Sequence, residues 1–193
     1  MYNLIGLGNP GEKYENTRHN AGAIVLSGVL ENEHLPKPMK SAKFGGMLSE
    51  GVIGGVEARL FFSDTYMNQS GHAVKKLLND SDAEHLVVIY DDIDIPLGTI
   101  RVSYGKNSGG HKGLESIIEV LGSKDFIRLR VGIAPLNAEG ESVRPDGEKL
   151  DKYVLGRLTG RELEEVKSVV PKASLALRSI LTEGYEVAMN KFN

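Results

Sequence analysis

The chain has 193 residues, 40% of them hydrophobic and 25% charged, enough to bury one sizeable core in a single domain spanning 1–193. The absence of cysteine excludes disulfides, thiolate metal sites and a thiol nucleophile. A net charge of −3 gives no overall attraction to nucleic acid, and no apolar run reaches the ~20 residues of a spanning helix, so a cytoplasmic location is expected.

Asn3 to Leu7 predicts a short buried strand that runs into a turn crowded with glycine and proline, "GLGNPGEKYENTRHNAG" over 6–22. Gly6, Gly8 and Gly11 match the spacing of a dinucleotide-binding loop. Pro10, however, removes an N–H where that loop offers donors to pyrophosphate, and eight residues separate Gly11 from the helix expected at about Asn20. The turn reads better as one that presents the side chain of Asn9. His19, at the helix entrance, is an exposed or capping residue by default and a general base if a carboxylate reaches its ring.

Further along, "EARLFF" (57–62), "HLVVIY" (85–90), "GTIRVSY" (98–104) and "FIRLRVGI" (126–133) predict strands, and 70–80 and 110–122 predict helices between them. Alternating strands and helices indicate an α/β sheet. "TYMNQSG" (65–71) follows one strand. Asn68 there can offer an amide to a carbonyl or oxyanion, or Ser70 can simply cap a helix with Tyr66 and Met67 in the core. "YDDIDIP" places Asp91, Asp92 and Asp94 just after the strand 85–90, where open α/β sheets line their ligand crevice. Strand alternation turns Asp91 away from Asp92, which argues against one metal held by all three acids.

The charge is unevenly spread. Residues 80–97 carry six acids and no Lys or Arg, whereas 98–130 carry six basic residues against three acidic ones. Arg101 and Arg130, on flanking strands, are either a phosphate clamp or surface charges. In "SGGHKG" (108–113) the paired glycines could admit an anion to backbone N–H groups, with His111 and Lys112 close by, or form a plain turn. Residues 134–152 lack periodicity and predict a mobile loop. Thr159 to Glu162 forms a capping box that opens a C-terminal helix from about 160, kinked at Pro171 and running towards Gly184.

In this order and spacing, "GLGNPGEKYENTRHNAG", "TYMNQSG", "YDDIDIPLG", "SGGHKGLESI" and "RLRVGI" closely resemble the bacterial peptidyl-tRNA hydrolases, from Leu4 to about Gly156. The resemblance implies a single α/β domain with a twisted mixed β-sheet flanked by helices, acting as a monomer without metal or organic cofactor. It implies a reaction, cleavage of the ester between a peptide and the 3′ end of tRNA. It also implies roles: His19 as general base, Asp91 as the carboxylate orienting it, Asn68 positioning substrate or water with Tyr66 and Met67 beside it, and Asn9 telling N-blocked from free aminoacyl groups. Tyr14 would contact the tRNA near its 3′ end, Arg101 and Arg130 would grip a tRNA phosphate, His111 would contact substrate or tRNA, and Lys112 would lie near the bound ester. The family usually has asparagine where this chain has Lys112, and a cation there would lower the pKa of a nearby His19. A non-catalytic RNA-binding relative is the alternative, against which the presence of both His19 and Asp91 counts.

Overall fold

The computed structural model describes residues 1–78, 83–137 and 139–193. Strand β1 (Tyr2–Gly6) enters the Gly/Pro turn, which passes through a 3₁₀ turn at Arg18–Asn20 into helix α1 (Ala21–Asn32). Three strands follow, β2 (Met39–Ser41), β3 (Gly46–Ile53) and β4 (Val56–Ser63), then a 3₁₀ turn at Met67–Gln69 and helix α2 (Ser70–Leu78). Next come β5 (Leu86–Pro96), β6 (Ile100–Tyr104), helix α3 (Lys112–Leu121) and β7 (Ile127–Ala134). Helices α4 (Glu148–Val154), α5 (Gly160–Ser168), α6 (Val170–Glu183) and α7 (Tyr185–Phe192) close the chain.

The strands form one seven-stranded sheet in the order β2-β3-β4-β1-β5-β7-β6. Its centre, β4-β1-β5-β7, is parallel, and its flanks are antiparallel. The chain leaves β1 for β4 through α1, then crosses back over β1 to β5 through α2. Because parallel crossovers are right-handed, reversing direction puts the two helices on opposite faces. Leu4, Val87, Ile89 and Leu129 pack with α1 and α6, and Ile5, Val88 and Tyr90 pack with α2 and α3. The carboxyl ends of β1, β4 and β5 therefore meet where the strand order reverses, the place at which open α/β sheets form a crevice.

At Gly22 the α1 helix approaches the sheet with no side chain between. A Cβ on Gly22 would lie 2.2 Å from the Ile89 carbonyl oxygen and 2.8 Å from the Tyr90 Cα, both backbone atoms. That contact brings His19, one turn earlier, to the end of β5. Gly22→Ala is expected to lower the melting temperature by about 5–10 °C, because overpacking against backbone cannot relax through a rotamer change. A thermal melt checks this; a transition within about 2 °C of the parent would mean that α1 shifts without cost.

Four expectations from the sequence are revised. Strands β2 and β3 were not foreseen, because the buried positions of β3 include Gly46 and Ser49, small residues on opposite faces that leave no apolar alternation to read. Strand β5 continues through the acidic segment to Pro96, with a register shift between Asp92 and Pro96. The loop expected over 134–152 ends at α4, which begins at Glu148. Pro171 does not kink a long helix: α5 stops at Ser168 and α6 restarts with Pro171 in its first turn, where a missing N–H costs nothing. The capping box is present, with Thr159 and Glu162 bonded reciprocally. Of the helix predicted over 70–80, residues 79 and 80 lie outside the described residues.

Candidate active site

His19 is buried at the head of α1, and its Nδ1 lies 3.0 Å from both carboxylate oxygens of Asp91. Asp91 sits on the α1 side of β5 and is itself buried. Its Oδ1 also accepts a bond of 2.9 Å from His111 Nε2. With Nδ1–H donated to Asp91, the lone pair of His19 lies on Nε2. Burial by itself lowers the pKa of His19, but the Asp91 charge and hydrogen bond outweigh it, with Asp151 of α4 adding, so the net shift is upward. Burial alone would raise Asp91, yet the two histidines hold it far below the usual carboxylate range.

The segment carrying His19 is clamped to the C-terminal part of the chain. Arg18 Nη2 lies 2.7 and 2.8 Å from the two Glu162 oxygens, and its Nη1 donates to the carbonyls of Tyr153 and Arg157. The guanidinium stacks 4.2 Å from the Tyr153 ring. The carboxylate that caps α5 therefore also fixes the residue before His19. The capping box was legible in sequence, but its partner Arg18, 144 residues away, was not.

At the end of β1, Asn9 is held by reciprocal bonds between its backbone and the Asn20 side chain, at 2.8 and 2.9 Å. Its Oδ1 accepts the Met67 N–H at 2.8 Å, tying the end of β1 to the turn after β4. Asn9 Nδ2 has no partner among the described residues, so the side chain presents a donor. Asn20 was missed from sequence, though its position directly after His19 in "RHN" is the signal. Met67 is buried in the core beneath α3, whereas Asn68 and Tyr66 are exposed, and Tyr14 packs edge-on to Tyr66 with ring centres 6.4 Å apart. A groove of about 960 Å³ leaves from Asn9 and Asn20 along α1 towards Pro171.

Asp91 and Asp92 leave β5 on opposite faces, as strand alternation requires. Asp92 turns to the other face of the sheet, where Arg130 Nε donates to it at 2.8 Å and the Tyr90 hydroxyl at 3.2 Å. Asp94 pairs with Arg144 of the loop before α4 at 2.6 Å. Arg101 and Arg130 are direct cross-strand partners on β6 and β7, so their side chains leave the sheet on one face. Arg128 belongs to a different category from the other bases in its stretch. It is fully buried, spanning the carbonyls of Lys106, Lys124 and Phe126, so it shapes the loops at this edge without adding surface charge.

Ligand atoms of His19, Asp91 and His111 lie within 4.8 Å of one another, a donor set that a divalent cation could use. The hydrogen bonds of His111 argue against it. Its Nδ1 accepts the N–H groups of Gly113 and Leu114, at 3.1 and 3.3 Å, and so bears no proton. The ring proton is then on Nε2, the atom facing Asp91, and a protonated nitrogen cannot ligate.

Lys112 departs from expectation. Its side chain is 67% exposed, and Nζ donates to Glu115 on the outer surface of α3 at 3.1 Å. A solvated, locally paired ammonium exerts little force on His19. Lys112→Asn is therefore expected to give a pH–rate profile that superimposes on the parent's. An acid limb displaced in Lys112→Asn at low salt would restore the like-charge effect.

The sequence profile of the peptidyl-tRNA hydrolase family matches residues 3–193. The peptidyl-tRNA hydrolase of Carboxydothermus hydrogenoformans is 40% identical over 195 residues, covering 100% of this chain and 98% of that one. That of Bacillus subtilis is 38% identical over 196 residues, with the same coverage of each. The crystal structure of the Acinetobacter baumannii peptidyl-tRNA hydrolase superimposes with a TM-score of 0.87 at 29% identity, covering 100% of this chain and 94% of that one. With the whole length matched in sequence and in fold, and a histidine–carboxylate pair where the strand order reverses, the chain belongs to the peptidyl-tRNA hydrolase family.

Proposed function

We propose that this chain hydrolyses the ester linking a peptide to the 3′ end of tRNA, with His19 as general base, in the cytoplasm and as a monomer. The observation that carries this reading is the buried His19–Asp91 pair at the carboxyl end of β5. Family membership supports the reaction, and the geometry supports the assignment of roles. An aminoacyl ester is already activated, so a water deprotonated by His19 Nε2 and a donor for the developing oxyanion suffice. Asn68, exposed on the turn after β4, supplies that donor or holds the water. The water proton passes to Nε2, the imidazolium forms against Asp91, and as the tetrahedral intermediate collapses the leaving 3′ oxygen takes that proton, restoring neutral His19.

Tyr14 and Tyr66, packed edge to face, offer ring surface to the unpaired 3′ end of the tRNA. Arg101 and Arg130 hold a phosphate, with Asp92 orienting Arg130 by its Nε and leaving the terminal nitrogens to the anion. The groove leaving from Asn9 gives the peptide its room. Among the described residues, no helix is long and apolar enough to cross a membrane. The decisive assay is release of N-acetyl-aminoacyl groups from tRNA, with free aminoacyl-tRNA as control; no release from the blocked substrate would sink the proposal.

Asn9 explains the discrimination that this control measures. With Oδ1 engaged by Met67, the free Nδ2 donates to a peptide carbonyl and opposes the N–H donors of a free ammonium. Asn9→Asp keeps the bond to Met67 but replaces the donor with an acceptor of negative charge. It is expected to narrow the preference for blocked over free aminoacyl-tRNA by about tenfold or more. An unchanged ratio of kcat/KM values for the two substrates removes Asn9 from this role.

A further inference from the structure

The ring of His111 has no polar atom left for a substrate. Its side chain is 8% exposed, Nδ1 caps α3 by accepting from Gly113 and Leu114, and Nε2 points to Asp91 Oδ1. The substrate contact expected of His111 from the sequence therefore needs another residue. The ring is wedged edge-on against Tyr90, with centres 5.1 Å apart, and lies 4.7 Å from the ring of His19.

We infer that His111 is a positioning residue for the general base: its capping bonds fix the Nε2–H tautomer, and that N–H holds the Asp91 carboxylate with both oxygens facing His19. The inference rests on the reading of His19 as the base. A histidine free to choose its tautomer could present a lone pair to Asp91, repelling the carboxylate. The two N–H groups at the start of α3 remove that choice. The helix terminus thus sets the proton position on one histidine, and through Asp91 the orientation of another.

The bond has an electrostatic consequence. An N–H donated to Asp91 disperses its charge and weakens its support for protonated His19. Losing that bond raises the pKa of His19 and moves the acid limb of the rate profile to higher pH. The other charged groups around the site are Asp151 of α4 and the pairs Asp94–Arg144, Asp92–Arg130 and Lys112–Glu115. Substitutions at His111 leave all of them in place.

Two substitutions separate the capping bond from the bond to Asp91. Asparagine places an oxygen near the position of Nδ1, and glutamine places an N–H near that of Nε2. His111→Asn is expected to keep the parent melting temperature, lose about tenfold in kcat and shift the acid limb upward by roughly half a pH unit. His111→Gln is expected to melt about 2–4 °C lower, through loss of the cap, with its acid limb at the parent position. If both variants lose turnover equally and neither limb moves, His111 is only scaffold and the inference is overturned. A second readout does not need catalysis: ¹⁵N spectra of His19→Ala should still show His111 protonated at Nε2. A proton on Nδ1 overturns this inference alone, whereas parental turnover in His19→Ala overturns the general-base reading and this inference with it.

Discussion

His19→Ala is expected to lower kcat on N-acetyl-aminoacyl-tRNA by about 10²–10⁴-fold, the range that a positioned general base contributes. The affinity for tRNA should stay within about twofold, because the role proposed for His19 is in the chemical step and the proposed phosphate grip, Arg101 and Arg130, lies on β6 and β7. Single-turnover hydrolysis and tRNA binding, measured on the same preparation, check both halves. A loss in binding that matches the loss in rate would mean that the variant has disturbed the fold of the turn.

The same assignment fixes the pH dependence. His19 works as a base only when neutral, and Asp91 holds its pKa above the ordinary histidine value. The acid limb of the rate profile should therefore lie above pH ~6.5. Stability runs the other way. A pKa raised in the folded state stabilises the protein fully below the unfolded value, and the contribution is lost as pH rises through the folded one. Asp91, depressed by its two histidines, contributes above the unfolded carboxylate range and loses that contribution as the pH falls. The enzyme should thus be most stable somewhat below the pH at which its base is fully active. A stability maximum displaced to the alkaline side of the acid limb would contradict the His19–Asp91 coupling.

Much of this site was legible in the sequence because its parts are local. The apolar runs at 3–7, 57–62 and 85–90 mark three strand ends, and Asn9, Asn68 and Asp91 follow those runs closely. Alternation alone separated Asp91 from Asp92. What escaped was set by contacts between distant segments. The two-residue distance from His111 to Gly113 gives no sign that the ring turns inward, since that depends on Asp91 arriving from another strand. Lys112 was placed beside the ester by motif position, but its side chain leans one turn along α3 to Glu115. Arg128 counts as a surface charge in any composition profile, and only the register of β7 shows it beneath the loops at 106 and 124.

Asp91→Asn should leave the fold intact and lower turnover by about 10⁴-fold, the scale of the analogous change in a serine protease triad. The reason lies in His111. Its Nε2–H, fixed by the α3 cap, needs an acceptor, so the new amide must turn its oxygen towards His111. The amide nitrogen then takes the place of Oδ2, 3.0 Å from His19 Nδ1, so a donor replaces one of the two acceptors that hold the Nδ1 proton, and the other is shared with His111. That favours the His19 proton on Nε2, the atom that should accept one from water, and much of the base is then in the wrong tautomer. This account predicts a rescue. Adding His111→Ala to Asp91→Asn removes the donor that competes for the amide oxygen, leaving that oxygen wholly to His19 and favouring Nδ1–H. The double variant should turn over about tenfold faster than Asp91→Asn alone, although His111→Ala by itself slows the enzyme. Losses that simply add in the double variant would show that Asp91 acts through its charge and not by setting the tautomer of His19.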